Sequence, residues 1–310
     1  PSGHVLYARP RVVTALSELR VDEPPPELAI LAVKAYDVAA AIADLAPACG
    51  PGTSVLALQN GLGSEEAVAE VVGAERVVAG SFTLSVGVSQ PGRIVQHTRS
   101  GGVALAEMER VAKRLPALTD AFAAAGFRVR ACADWRAMKW SKLLLNLLTN
   151  ASCAILEMTP AEVLSHPGLF ALERAAFLEA RRVMRRLGLR PTDIPGYPVR
   201  LLARAMGLPA PLARALVAGR AAGGRGQKMP SLALDLAAGK GRSEVGFLNG
   251  AVARAAGKCG LRAPVNASLA SLLEGILAGT TDHEAFRHHP EALLRESGVG
   301  RSPATTVRGG

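Results

Sequence analysis

Leu28-Ala29-Ile30-Leu31-Ala32-Val33 is an unbroken apolar run that stops on a cation, Lys34, and leads into a helical stretch from Asp37 to Leu45. A short buried strand followed at once by a helix is how a parallel α/β layer reads. Working outward, Ser54 to Leu58 repeats the pattern and ends on Gln59-Asn60-Gly61. Val5 to Ala8, Val77 to Ala79 and Ile94 to Gln96 supply further strands, and Glu109 to Ala125 a helix. The expectation for 1–130 is a doubly wound parallel sheet.

After Ala133 strand alternation stops. Trp135 to Leu148, Pro160 to Leu164, Ala171 to Leu187, Ala210 to Gly219 and Glu244 to Gly257 read as helices, so 131–299 is expected to be an all-α domain. Gly219 to Met229, rich in Gly and Arg, is expected to form a mobile loop, and 300–310 a disordered tail. There is no internal repeat.

The 310 residues are 49% hydrophobic and 20% charged, enough for a buried core and far from disordered composition. Apolar runs fall well short of the roughly 18 residues of a membrane helix, and the start carries no signal-peptide pattern, so a cytoplasmic protein is expected. Cys49, Cys132, Cys153 and Cys259 show no metal or disulfide spacing and are expected to be buried free thiols. The net charge of +10 comes from scattered arginines without interleaved aromatics, which argues against nucleic acid and for an anionic small molecule or simple solvation. His283, His288 and His289 lack acidic support for a metal and read as a solvated cluster. Gly61-Leu62-Gly63 lacks the third glycine of a dinucleotide fingerprint, and no P-loop, GxSxG or HExxH motif occurs.

Only seven of the 36 basic residues are lysines, at 34, 113, 139, 142, 228, 240 and 258. Lysine can give up its proton when desolvated and arginine cannot, so a lysine in an apolar segment calls for an explanation. Lys34 and Asn60 follow the two clearest strands, where open α/β sheets bind ligands. By position alone, Lys34 is equally an exposed lysine opening a helix, and Asn60 equally an Asn-Gly turn. The stretch Trp135 to Leu148 is apolar on nearly every side except for Lys142, Asn146 and Asn150, which recur at i, i+4 and i+8 and should share one helix face. Burying an unpaired ammonium or amide costs several kcal/mol, so that stripe must meet solvent, a polar partner or a ligand. Lys139, one turn before Lys142, reads as a neighbour of the stripe. Glu244, in Arg242-Ser243-Glu244, and Ser231, after Pro230, are the remaining candidates, with dipole complementation and N-capping as their plain alternatives.

Several of these segments together resemble the ketopantoate reductase family: Leu-Ala-Val-Lys-Ala-Tyr-Asp (31–37), Gln-Asn-Gly-Leu-Gly (59–63), Trp-Ser-Lys-Leu-Leu-Leu-Asn-Leu-Leu-Thr-Asn (140–150), Lys-Met-Pro-Ser (228–231), Ser-Glu-Val-Gly-Phe-Leu-Asn-Gly (243–250) and Pro-Val-Asn (264–266). The resemblance runs from about Gly3 to Leu277. It implies a Rossmann-like first domain and NADPH-dependent reduction of 2-dehydropantoate to (R)-pantoate, a step of pantothenate and coenzyme A biosynthesis. It further implies Lys142 as general acid, Asn146, Asn150 and Ser231 as substrate-binding residues, and Asn60 between cofactor and substrate. Lys34, Glu244 and the backbone of Val88 would contact cofactor. The expected partner is a small 2-oxo acid, with no nucleic acid or membrane and with a homodimer as the possible assembly.

The sequence departs from the family in two places. One residue more than expected lies between Asp235 and Glu244. The strand, GxGxxG turn and helix with which the family opens are not seen, and Gly3 to Arg9 resembles its second strand, so a first βα unit is expected to be missing. Arg9 is then either the partner of the 2′-phosphate that distinguishes NADPH or equally a surface arginine. The alternatives are a related NAD(P)-dependent 2-oxo acid or 2-hydroxy acid dehydrogenase, a non-catalytic fragment or relic of such an enzyme, or a basic non-enzymatic protein that binds polyanions.

Overall fold

A computed structural model of the chain describes residues 7, 9–18, 24–98, 100–109, 114–221 and 228–298. Two compact units emerge, Pro1–Lys142 with Thr192–Pro198, and Leu143–Pro191 with Val199–Gly310.

The first unit is built on a five-stranded sheet of β1 (Leu28–Leu31), β2 (Ser54–Ala57), β3 (Val77–Phe82), β6 (Val103–Glu107) and β7 (Val129–Ala131), in the order β1-β2-β3-β6-β7. Strand β1 pairs with β2 in parallel, register Leu28 to Ser54, and β2 with β3 in parallel, register Val55 to Val77. One face packs Val38 and Ile42 of α1 (Val38–Leu45) and Val68 and Val72 of α2 (Ser64–Val72) onto Leu31, Val55 and Val77. The other face packs Leu118 of α3 (Leu115–Ala124) with Leu56, Val78, Val103 and Leu105. Each such side chain, taken from water, contributes about 1.5–3 kcal/mol, and helices on both faces make the layer doubly wound, as expected.

The sheet differs from an all-parallel one. Strand β6 runs antiparallel to β3, with Val78 opposite Glu107 and Phe82 opposite Val103. The excursion between them contains no crossover helix but a hairpin, β4 (Val86–Gln90) with β5 (Arg93–Gln96), that forms a separate two-stranded sheet. Ile94 to Gln96 is therefore a strand, but of the hairpin. A parallel return would have needed a crossover of a dozen or more residues, usually a helix. The expected strand Val5 to Ala8, the mobile loop from Gly219 to Met229 and the tail fall wholly or mostly outside the described residues. Gly219–Ala221 belong to α9 (Ala210–Ala221).

The second unit is helical, as the loss of alternation after Ala133 predicts. Its long helix α7 (Pro167–Arg186) buries Leu169, Phe170, Leu172, Ala176, Phe177, Ala180, Val183 and Met184, spaced as one helical face. Also present are α5 (Asn150–Leu156), α6 (Pro160–Ser165), α8 (Val199–Met206), α10 (Ser231–Ala237), α11 (Asn249–Lys258), α12 (Pro264–Leu277) and α13 (Pro290–Glu296). Among the described residues no helix is long and apolar enough to cross a membrane. The cysteines are free, but only Cys153 is buried. Cys49, Cys132 and Cys259 are half-buried, which corrects the expectation of four buried thiols.

Candidate active site

In the first unit, the chemistry gathers at the carboxyl ends of β1 and β2. Lys34 lies just past β1, half-buried, with extended backbone before a 3₁₀ turn, Ala35–Asp37. Gln59 and Asn60 lie just past β2, with Gln59 buried and Asn60 half-buried. The Gln59 side chain ties the two strand ends together, its Nε2 donating to Leu31 O at 2.8 Å and Val33 O at 3.1 Å. After this turn Gly61 and Gly63 take φ of 88° and 103°, a region that favours glycine, and Gly63 caps α2.

Helix α4 (Trp135–Leu147) carries the two adjacent lysines, and their environments differ sharply. Lys142 is half-buried. Lys139 is 1% exposed and reaches the sheet, its Nζ donating to Gln59 O at 2.5 Å and Gly80 O at 3.3 Å. It also lies 2.7 Å from Oε1 of Glu65, the fully buried second residue of α2, as an ion pair without the alignment of a good hydrogen bond. Burial pushes the Glu65 carboxyl above its ordinary value, against the opposing pull of Lys139. Reading Lys139 as a bystander of the stripe missed this network. Its one sequence signal was a lysine among Trp135, Met138, Trp140 and Leu143 in an arginine-rich chain.

The stripe itself is corrected. Lys142 and Asn146 are one turn apart on α4, but the helix ends at Leu147, and Asn150 opens α5 instead. Between them Thr149 takes φ 64°, a left-handed conformation that strains a β-branched residue. Glu173 of α7 holds it there, one carboxylate oxygen accepting from Thr149 N at 2.7 Å and the other from Ser152 Oγ at 2.5 Å. That carboxyl is buried, and desolvation pushes its pKa up to about 7.

Asn150, thus turned, accepts the Leu232 N–H on its Oδ1 at 3.1 Å. Leu232 follows Ser231, the exposed first residue of α10, so the Asn150 bond falls one residue past a second predicted substrate residue. Pro230 occupies the N-cap there, and Ser231 is not the cap. Glu244 is buried and opens a short 3₁₀ turn capped by Ser243 Oγ, which accepts from Val245 N at 3.1 Å; the α-helix expected from Glu244 begins only at Asn249.

The Pro-Val-Asn segment proves structural. Glu179 caps α12 by accepting Val265 N and Asn266 N, both at 3.0 Å, and Asn266 in turn receives Asn249 Nδ2 on its Oδ1 at 3.1 Å. Val88 lies on β4 in the separate hairpin, 71% exposed, and Arg9 is exposed. His283 is not simply solvated: its Nε2 meets Ile155 O at 3.0 Å. Among the described residues no group of three His, Cys, Asp or Glu could hold a metal ion.

The donor set at the strand ends suits a nucleotide. Lys34 offers a cation to phosphate, Asn60 an amide, and Gln59 Oε1 is a buried acceptor without a hydrogen-bond partner, which a hydroxyl or carboxamide N–H would satisfy.

A family model described as ketopantoate reductase PanE/ApbA matches residues 3–110, and one described as its C-terminal part matches 134–277. The chain is 31% identical over 275 residues to a 2-dehydropantoate 2-reductase of Halobacterium salinarum, covering 88% of this chain and 82% of that one. A crystal structure of a PanE/ApbA family ketopantoate reductase from Ralstonia eutropha JMP134 superposes with TM-score 0.67 at 27% identity, covering 82% of this chain and 76% of that one. A D-mandelate dehydrogenase solved with NADH and anilino(oxo)acetate gives TM-score 0.69 at 21% identity, covering 82% and 77%, a likeness of fold.

Proposed function

Because the chain belongs to the ketopantoate reductase family, a family of oxidoreductases, we propose that it reduces 2-dehydropantoate to pantoate with NADPH. The observation that carries this reading is the pairing of half-buried Lys142 with Asn146, one turn apart on an otherwise apolar helix. A cation that can give up a proton, with an amide beside it to orient the substrate, suits reduction of a 2-oxo acid.

A reduced nicotinamide, when bound, supplies hydride to the carbonyl carbon. Lys142 Nζ donates a proton to the carbonyl oxygen as negative charge builds there, which completes the hydroxyl. Asn146, Asn150 and Ser231 bind the substrate carboxylate and hydroxyl. The Oδ1 of Asn150 is already engaged by Leu232, which leaves its Nδ2 as the donor. Lys34 and Asn60 hold the cofactor from the strand ends, with Glu244, the Val88 backbone and Arg9 as further contacts. In this reading 1–130 is the dinucleotide-binding part and 131–299 the substrate-binding part.

The polar pair specifies carbonyl reduction more tightly than it specifies the acid. Steady-state rates with 2-dehydropantoate against smaller and aromatic 2-oxo acids test the assignment. A kcat/KM for 2-dehydropantoate at least tenfold above the others supports it. Preference for an aromatic or unbranched 2-oxo acid would make the chain a sister dehydrogenase on the same fold.

A further inference from the structure

The buried group that the proposed chemistry leaves unused is Lys139. Its ammonium is enclosed by three elements at once: the Gln59 carbonyl after β2, the Gly80 carbonyl within β3, and the Glu65 carboxylate in the first turn of α2. Gln59 passes the restraint on, since its side chain also grips Leu31 and Val33 beside Lys34. One ammonium therefore joins α4, three residues before Lys142, to the strand ends that carry Lys34 and Asn60. All of these atoms belong to the first compact unit.

Stability does not account for the arrangement. Taking an ammonium and a carboxylate out of water costs several kcal/mol each, and replacing such a pair with apolar residues is often neutral or stabilising. Here the penalty is only partly offset, because Glu65 Oε2 has no hydrogen-bond partner and Oε1 has only the ill-aligned ion pair. What a short-range cation with two carbonyl partners does supply is geometry. It fixes the height and rotation of α4 against the sheet, and a misplacement of about 1 Å at a catalytic group can lower a rate by roughly 10²-fold.

We propose that Lys139, with Glu65 and Gln59, is a positioning network that sets Lys142 in register with Asn60 and Lys34. The inference rests on the reading of Lys142 as the proton donor. Lys139 itself, shut off from solvent by these partners, touches neither substrate nor cofactor.

Two charge-neutral double variants test it. Lys139→Met with Glu65→Leu removes the pair and its hydrogen bonds. Lys139→Gln with Glu65→Gln removes the charges but keeps an amide that can donate to the Gln59 carbonyl. The first should melt near the parent's temperature, lose at least about tenfold in kcat and keep the oxo-acid KM within about threefold. The second should recover most of the lost kcat. Parent-like kcat in the Met/Leu variant would overturn the proposal. So would equal loss in both variants, since that would trace the effect to charge. Failure of both to fold would make the network a requirement of the fold alone, which also overturns it. The underlying reading fails separately: a parent that reduces no 2-oxo acid, or a Lys142→Arg variant with full turnover, removes the premise. Intact double variants beside an inactive Lys142→Arg remove this inference alone.

Discussion

The buried carboxylate of Glu173 accepts the backbone N–H of Thr149 at 2.7 Å, and Thr149 is the left-handed residue that separates α4 from α5. A side chain on α7 thus decides where Asn150 points. It does so as a carboxyl whose pKa burial has pushed up to about 7. The folded protein therefore holds a proton that the unfolded chain, titrating near the ordinary carboxylate value of about 4.5, releases at lower pH. Stability from this group is fully present below pH 4.5, declines as pH rises toward 7, and is lost above it. Glu173→Gln keeps an acceptor for Thr149 N and a donor for Ser152, and it carries no charge to desolvate. The variant should lack the decline and unfold at higher denaturant than the parent at pH 8, by up to about 3 kcal/mol. A parent and variant with parallel stability profiles from pH 4.5 to 8 would show that the carboxyl titrates normally.

Lys142→Arg retains the charge but cannot readily release a proton. Turnover should fall by roughly 10² or more while the fold and cofactor affinity persist. Near-parental kcat would remove Lys142 from its role.

Asn146→Leu and Asn150→Leu should both raise the Michaelis constant for the oxo acid and leave cofactor affinity almost unchanged. The structure separates them. Asn150 also satisfies the buried Leu232 N–H, so Asn150→Leu should cost an additional 1–3 kcal/mol or so of stability. Denaturation of the two variants side by side checks this difference, and equal stability would mean that the Asn150–Leu232 bond is not maintained in solution.

Arg9→Ala should weaken NADPH binding and leave NADH binding unchanged, because only the former carries the 2′-phosphate. Lys34→Ala should weaken both. Fluorescence titrations of the two nucleotides read the contrast directly, and identical losses for Arg9→Ala with both would exclude it from the 2′-phosphate.

Much of this was legible in the sequence, and the exceptions share a cause. Ser54–Ala57 declares itself because a continuous apolar run bounded by polar residues has few other solutions in a covered sheet, whereas Leu28–Leu31, read as equally buried, alternates and leaves Ile30 48% exposed. Val103–Glu107 is absent from the strands read in the sequence, and its direction is not legible there either, since an apolar run reads the same both ways and only tertiary pairing reverses it. The break after Leu147 carries neither proline nor glycine. It depends on Glu173, more than twenty residues downstream, which no local pattern could announce. Lys139 and Lys142 look alike on a helical wheel of apolar residues. Only the folded chain, in which the Gln59 and Gly80 carbonyls and Glu65 enclose Lys139, tells the buried lysine from the half-buried Lys142.

The most direct measurement is product formation from NADPH and 2-dehydropantoate by the purified chain, followed by chromatography alongside the loss of reduced nicotinamide. One pantoate for each NADPH consumed, abolished in Lys142→Arg, is the predicted result. No pantoate from a folded protein that binds NADPH, or turnover that survives Lys142→Arg, would contradict it.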